Sequence, residues 1–196
     1  MVRKFTKWDI LIPYLYDYQK TMLLADFERE LDKPHQTVKR YLVQLIQEKV
    51  ITEDERKKHT TYRLNLENPL TFTYLGLAEK FNLFSRLEEN RMVKRLFEKC
   101  SDFFSTHSFL VFGSYAVGRE GNDIDLFVIG ECDDELEGVL DKFGKTYKKI
   151  HKVQVKNKKE LNKSFLKELL RKHIIFNNSD LFVQLFGDLY GKIGLV

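Results

Sequence analysis

The sequence has few of the residues that stabilise small secreted proteins, and it has no long apolar run. Only two cysteines occur, Cys100 and Cys132, which is too few for a disulfide framework or a cysteine metal cluster. Reduced thiols are therefore expected, as in cytoplasmic proteins. No apolar run approaches the roughly 18 residues of a membrane span, and the segment MVRKFTKWDI lacks the apolar core of a secretory signal. These absences predict a cytoplasmic protein with no membrane partner.

Proline is also scarce, and its positions suggest how the chain is divided. All three prolines lie in the first 70 residues, and Asn68-Pro69 separates a strand-like segment from a helical one. The 196 residues are 43% hydrophobic and 32% charged, which suits one large or two small globular domains. We predict a first domain over residues 1–68, a linker helix over 69–85 and a second domain over 86–196. The net charge of +4 permits a nucleic-acid partner without requiring one.

The first domain has the element order of a winged helix-turn-helix. Apolar spacing predicts three helices, over residues 8–18, 22–32 and 35–49, followed by a hairpin with a charged tip. In such a module the third helix enters the major groove of duplex DNA, while the wing contacts phosphates. Exposed polar and basic side chains at these two places are our DNA-binding candidates: Gln36, Thr37, Lys39, Arg40, Arg56, Lys57 and Lys58. The alternative is a module for protein contact or dimerisation, and a homodimer stays open.

The second domain alternates helices with apolar strands, which predicts an α/β arrangement. Its most informative segment is VFGSYAVGREGNDIDLFVIG, which begins at residue 111. Because side chains alternate along a strand, Asp123 and Asp125 are expected on one face, where two carboxylates can bind Mg²⁺ or Mn²⁺. Gly113 and Ser114 follow an apolar strand and can hold phosphate oxygens, since glycine allows close approach. The alternative is a structural turn with aspartates that cap a strand end.

The residues Gly113 to Gly118 and Asn122 to Leu126 resemble the minimal nucleotidyltransferases of the polymerase-beta-like superfamily. The resemblance covers about residues 86–186, and together with the winged helix the whole chain resembles archaeal winged-helix nucleotidyltransferase proteins. It implies a two-domain α+β or α/β fold, in which a small mixed sheet flanked by helices forms the second domain. It also implies Mg²⁺-dependent (or Mn²⁺-dependent) transfer of a nucleoside monophosphate from a nucleoside triphosphate to a hydroxyl. Asp123 and Asp125 would be the catalytic and metal-binding residues, and Gly113 and Ser114 would bind the nucleotide.

The sequence departs from that family at the third carboxylate. The family supplies it from a later strand, and the matching position in IHKVQVK is Gln154. Glutamine can form hydrogen bonds but cannot accept a proton. We expect its amide to point toward Asp123 and Asp125, with nucleotide binding retained and transfer weak or absent. Two functions therefore remain open: a nucleotidyltransferase coupled to a DNA-binding module, or a DNA-binding regulator or antitoxin-like protein with a weakened nucleotidyltransferase domain.

Overall fold

The computed structural model describes residues 4–56, 59–118, 121 and 123–191, and the side chain of Arg56 is also outside the description. Among the predicted DNA-binding residues, Lys57, Lys58 and the Arg56 side chain are therefore outside the described part of the chain. Asn122, which belongs to the motif that carries the resemblance, is outside it as well.

The N-terminal part forms two short helices and a three-stranded antiparallel sheet. Its elements are a 3₁₀ segment over Lys7–Tyr14, β1 at Met22–Leu23, α1 at Leu24–Leu31, α2 at His35–Gln47, β2 at Ile51–Arg56 and β3 at His59–Leu64. The strand order is β1-β3-β2. The predicted second and third helices and the hairpin are present, with shorter bounds for the helices.

The first predicted helix is not an α-helix. Its residues form the 3₁₀ segment and then turns, because Pro13 lies inside the segment. Proline has no backbone N–H and its ring clashes with the carbonyl four residues earlier, so an α-helix cannot run through it without a kink. At its start, Asp9 Oδ2 accepts a hydrogen bond of 2.7 Å from the backbone N–H of Thr6. The second helix begins at Leu24 and not at Met22, since Met22 and Leu23 pair with β3.

A long helix joins the two parts of the chain. Helix α3 spans Pro69–Glu89, and the side chain of Asn68 caps it by accepting a hydrogen bond of 3.0 Å from the backbone N–H of Leu70. Proline at the first helical position costs no hydrogen bond, because that N–H has no partner within a helix. Helix α4 follows at Arg91–Cys100. The predicted break at Asn68-Pro69 thus coincides with the beginning of a helix.

The C-terminal part is a four-stranded mixed sheet with helices packed against it. Its strands are β4 at Ser108–Phe112, β5 at Asp123–Ile129, β6 at Lys149–Val155 and β7 at His173–Ile175, in the order β6-β5-β4-β7. Its helices are α5 at Asp134–Thr146, α6 at Lys163–Arg171 and α7 at Ser179–Asp188. Strands β5 and β6 are parallel, and β4 is antiparallel to both β5 and β7. The predicted small mixed sheet flanked by helices is confirmed.

The two faces of this sheet belong to two different hydrophobic clusters. One face, with Ile124, Leu126 and Val128 of β5, packs with residues of α4 and α5. The other face, with Phe127 and Ile129, packs with α6 and α7. That second cluster continues through α3 into the N-terminal part, so one core extends across both parts of the chain.

Candidate functional site

Asp123 and Asp125 lie at the beginning of β5 on the same face of the sheet. Ile124 between them is fully buried on the opposite face. Asp123 is exposed, and 28% of the Asp125 side chain is exposed. Two carboxylates, one free in solvent and one partly covered, are therefore presented at one edge of the sheet.

The Gly113 turn packs directly against one of these carboxylates. Strand β4 pairs with β5 so that Phe112 lies opposite Asp125, and Gly113 follows at once. Gly113 has φ of 74°, in the left-handed region that glycine favours. A Cβ atom at this position would overlap Oδ2 of Asp125. Glycine is therefore required both by the backbone angle and by the contact with Asp125.

Ser114 is exposed and follows Gly113 at the beginning of a short 3₁₀ segment, Tyr115–Val117. Its Oγ lies 2.9 Å from the place that a Cβ atom on Gly121 would occupy, so the hydroxyl lies beside the loop that leads into β5. Lys148, just before β6, fixes the same loop, because its Nζ donates hydrogen bonds to the Gly121 carbonyl (2.5 Å) and the Tyr115 hydroxyl (2.9 Å). The turn, the loop and the first residues of β5 are thus held together.

Strand β6 places His151 beside Asp125 and Lys149 beside Asp123. In the parallel pairing of β5 and β6, Asp125 lies opposite His151, and paired residues share a face. The Nδ1 atom of His151 is 3.2 Å from Oδ1 of Asp125, and 65% of the histidine side chain is exposed. Sequence reasoning did not select His151. The alternation of side chains along β6 could have identified it. His151, Val153 and Val155 lie on one face of the strand and Gln154 lies on the other, and both valines pack on the hydrophobic cluster that contains Phe127.

The prediction that the Gln154 amide points toward the two aspartates is wrong. Gln154 pairs with Val128, and Val128 lies three residues beyond Asp125 on β5. Because side chains alternate along a strand, Gln154 faces the side of the sheet opposite to Asp125. Its Nε2 donates hydrogen bonds to the carbonyls of Gly130 (3.0 Å) and Glu131 (2.9 Å). Gln154 therefore holds the segment after β5 and does not contact the site.

The donor atoms at this edge fit a hard divalent cation in part. Within the described residues no three histidine, cysteine, aspartate or glutamate side chains are arranged to hold a metal ion. Asp123 and Asp125 nevertheless present carboxylate oxygens on one face, and the missing side chain at Gly113 leaves Asp125 Oδ2 uncrowded. One or two carboxylates, completed by substrate phosphates and water, are a common protein environment for Mg²⁺. The residues present are compatible with a cation that is held jointly with a nucleotide.

Four of the DNA-binding candidates lie on α2, toward its solvent-facing side. Gln36, Lys39 and Arg40 are exposed, and Thr37 is half-buried. The opposite side of the helix is buried in the core through Val38, Leu42 and Leu45. The structure therefore leaves a polar and basic helix face in contact with solvent.

Part of the chain matches the model of a known protein family. Residues 93–183 match the family model described as nucleotidyltransferase domain, and this range includes both aspartates, the Gly113 turn and His151. No significant match to the chain was found among curated proteins or among solved structures. Within the described residues, none of the helices has the length and apolar character to cross a membrane. Residues 93–183 are thus similar to the nucleotidyltransferase domain family, which supports a relationship to the polymerase-beta-like superfamily.

Proposed function

We propose that the protein is a nucleotidyltransferase that binds a nucleoside triphosphate with Mg²⁺ or Mn²⁺ at the edge formed by Gly113, Ser114, Asp123 and Asp125. The observation that carries the proposal is the direct packing of the Gly113 turn against Asp125. A phosphate group held by the turn would lie beside the carboxylates that hold a cation. The similarity of residues 93–183 to the nucleotidyltransferase domain family supports the same chemistry.

The residues have separable roles in this proposal. Gly113 lets phosphate oxygens approach the backbone, and the exposed Ser114 hydroxyl donates a hydrogen bond to one of them. Asp123 and Asp125 hold the cation, which when bound neutralises phosphate charge and orients the α-phosphate. Lys148 keeps the loop before β5 in place through Gly121. The acceptor hydroxyl oxygen then bonds to the α-phosphorus, the bond to the β-phosphate oxygen breaks, pyrophosphate leaves, and the hydroxyl proton passes to solvent.

Transfer is expected to be slow, because no carboxylate stands beside Asp125 on β6. The residue there is His151. An imidazole can accept a proton, but it brings no negative charge to the cation site, so replacement of the family's third carboxylate can slow transfer while binding persists.

The test is incubation with α-labelled nucleoside triphosphates and Mg²⁺ or Mn²⁺, in which bound and covalently transferred label are counted separately. We expect binding with slow transfer, and loss of both in Asp123→Asn with Asp125→Asn. The control is Glu88→Gln with Glu98→Gln, which removes two exposed carboxylates from α3 and α4 and should behave as the natural protein. Neither binding nor transfer in the natural protein with either cation would refute the proposal.

A second proposal concerns the N-terminal part, and it is favoured by the exposed basic face of α2. We propose that residues 1–68 form a winged helix that binds duplex DNA through α2 and the β2–β3 hairpin. Lys39 and Arg40 would contact phosphates, and Gln36 and Thr37 would contact phosphates or base edges. If transfer proves absent, the chain is a DNA-binding regulator whose nucleotidyltransferase domain is weakened.

Duplex binding should weaken as salt increases, because each neutralised phosphate releases condensed counterions. Lys39→Ala with Arg40→Ala should lower the slope of log affinity against log salt by about 1.8, since each lost phosphate contact contributes about 0.9. Fluorescence anisotropy with a labelled duplex measures both quantities. Lys94→Ala with Lys99→Ala on α4 removes the same charge from another exposed surface and should leave the slope unchanged. No duplex binding at low salt would instead favour a protein-contact module.

A further inference from the structure

A groove of about 660 Å³ lies along α6, apart from the edge that carries the two aspartates. One of its walls is formed by three exposed cations of α6: Lys163, Lys167 and Arg171. Their spacing of four residues puts them on one face of the helix, about 6 Å apart along its axis. Among the described residues, none of the three forms an ion pair. The positive charge of this wall is therefore available to a ligand.

The opposite wall of the groove combines two tyrosine rings with two carboxylates. Tyr16 and Asp17 precede β1, Asp188 ends α7, and Tyr190 follows it. The Tyr16 hydroxyl accepts a hydrogen bond of 3.1 Å from a side chain of α3, and the Tyr190 ring stacks on Tyr18 with the centroids 5.8 Å apart. Both lining rings are half-buried and held in place. One wall is thus cationic, and the other is aromatic and acidic.

One end of the groove lies near the Gly113 turn. Helix α6 ends at Arg171, and β7 begins two residues later at His173. His173 pairs with Phe112, the residue directly before Gly113. A ligand that lies along the cations of α6 therefore has one end close to the proposed nucleotide site.

We propose that this groove binds a single-stranded nucleic acid, with its phosphates against α6 and its bases and sugars against the opposite wall. Grooves that bind single strands combine positive charge along the backbone with aromatic side chains on which bases stack. Cations that extend over about 12 Å of helix suit a chain of phosphates better than a single phosphate. Carboxylates accept hydrogen bonds from base amino groups and sugar hydroxyls, so Asp17 and Asp188 suit the wall that faces away from the phosphates.

The inference deepens the proposed function, because it makes the end of the strand the acceptor. The terminal hydroxyl oxygen of the strand would bond to the α-phosphorus of the triphosphate, and pyrophosphate would leave. Strand binding itself depends only on the groove, so the inference and the proposed function can fail separately.

The test is fluorescence anisotropy of the full chain with labelled oligouridylate and oligothymidylate of about ten nucleotides, a length typical of single-strand sites. Lys163→Ala with Lys167→Ala should weaken binding and lower the slope of log affinity against log salt by about 1.4, since each phosphate contact on a single strand contributes about 0.7. Lys94→Ala with Lys99→Ala removes the same charge from exposed positions of α4 and should leave the slope unchanged.

Tyr190 provides a second measurement that a change of charge alone does not affect. Tyr190→Leu should weaken strand binding by about 5–150-fold, the range for the loss of base stacking on an aromatic ring. Tyr190→Phe keeps the ring and should retain binding. Thermal unfolding checks that both variants fold, and the lysine variant tests the groove independently of them.

No binding of either oligonucleotide at low salt would overturn the inference, as would equal losses in the α6 variant and its α4 control. Strand binding that depends on α6, without nucleotide binding, would support the groove and refute the proposed function. Nucleotide binding without strand binding would do the reverse. With α-labelled triphosphate, the natural protein should label the end of the oligonucleotide more than the α6 variant does. Equal labelling by the two, including none by either, would overturn the assignment of the strand as acceptor.

Discussion

Gly113 and Gly118 have the same φ angle but different neighbouring atoms. Comparing them separates the effect of backbone strain from the effect of the contact between Gly113 and Asp125. Both have φ of 74°. A Cβ atom at Gly113 would overlap Asp125, whereas one at Gly118 would have nothing within 4 Å. Backbone strain is therefore common to both positions, and displacement of the carboxylate is specific to Gly113.

Gly113→Ala should therefore abolish nucleotide binding, while Gly118→Ala should retain it. Each substitution is expected to lower the free energy of unfolding by about 1–3 kcal/mol through left-handed strain, with an additional loss at Gly113. Urea denaturation and nucleotide titration of the two variants measure these effects. Equal nucleotide affinity in both variants would show that the contact with Asp125 is not part of the site.

Gln154 and His151 show how far the strand register can be read from sequence. The period of two correctly places Asp123 and Asp125 on one face, because only residues within one strand are compared. Which residue of β6 lies beside Asp125 depends on the pairing between strands, and the sequence of β6 alone does not determine it. Gln154 lies three residues beyond His151, and an odd shift in register exchanges the two faces of β6.

This register makes a prediction about the third carboxylate. His151→Asp should raise the rate of nucleotide transfer, because a carboxylate then stands opposite Asp125. Gln154→Asp should not raise it, since position 154 faces the other side of the sheet. Transfer rates of the two variants, measured at saturating nucleotide and cation, show whether position 151 or position 154 lies beside Asp125. A gain with Gln154→Asp alone would contradict the register.

At the scale of elements, a buried hydrogen-bonded pair, Glu79 of α3 and His173 of β7, connects the two elements. Nε2 of His173 is 2.8 Å from Oε1 of Glu79, and both side chains are at most 1% exposed. Nδ1 of His173 donates to the carbonyls of Leu169 (3.1 Å) and Leu170 (3.0 Å). His173 also pairs across the sheet with Phe112, the residue before the Gly113 turn. The pair therefore links the central helix to the strands that position the turn.

Removing one partner of this pair should be costly. Glu79→Ala leaves a buried imidazole nitrogen without its partner, and the free energy of unfolding should fall by about 3–5 kcal/mol. Glu79→Gln should cost less, because a glutamine amide can donate to Nε2 while Nδ1 keeps its own proton. Urea denaturation of the two variants provides the comparison. Equal losses would mean that the negative charge of Glu79, and not its hydrogen bond, is what matters.

Elements with strong local signals were predicted, and those that depend on tertiary contacts were not. The Asn68-Pro69 break predicted a helix from residue 69, which is α3, and the strand expected to carry Asp123 and Asp125 is β5. Strand β7 has only three residues and follows α6 directly, so nothing local distinguishes it from the end of that helix. It forms because its backbone completes the hydrogen bonds at the edge of β4.

At the scale of the whole molecule, the two parts share a core and are expected to unfold together. The larger hydrophobic cluster includes Ile10, Leu75 and Phe186, from the two ends of the chain and the helix between them. A core that extends across both parts makes their stabilities interdependent. This coupling could not be predicted from a sequence that, by composition, allowed either one domain or two.

Two local probes can test that coupling. Trp8 is the only tryptophan in the sequence. It contacts Tyr74 edge to face, with the ring centroids 4.4 Å apart. A dye can be attached to the exposed Cys132, because burial raises the pKa of the Cys100 thiol to about 12 and keeps it unreactive. Denaturant midpoints from tryptophan and dye fluorescence should coincide. Separate midpoints would show that the N-terminal part and the sheet unfold independently.

The central claim is that the beginning of β5 and the Gly113 turn form one site for a cation and a nucleotide. Calorimetric titration with a non-hydrolysable nucleoside triphosphate, in Mg²⁺ and in Mn²⁺, tests it most directly because it does not depend on the acceptor or on the rate of transfer. The natural protein and the Glu88→Gln with Glu98→Gln control should bind alike. Asp123→Asn with Asp125→Asn should bind at least about tenfold more weakly, since even the loss of a residue that only hydrogen-bonds a metal ligand costs about 10–100-fold. Undiminished affinity in the double aspartate variant would contradict the account.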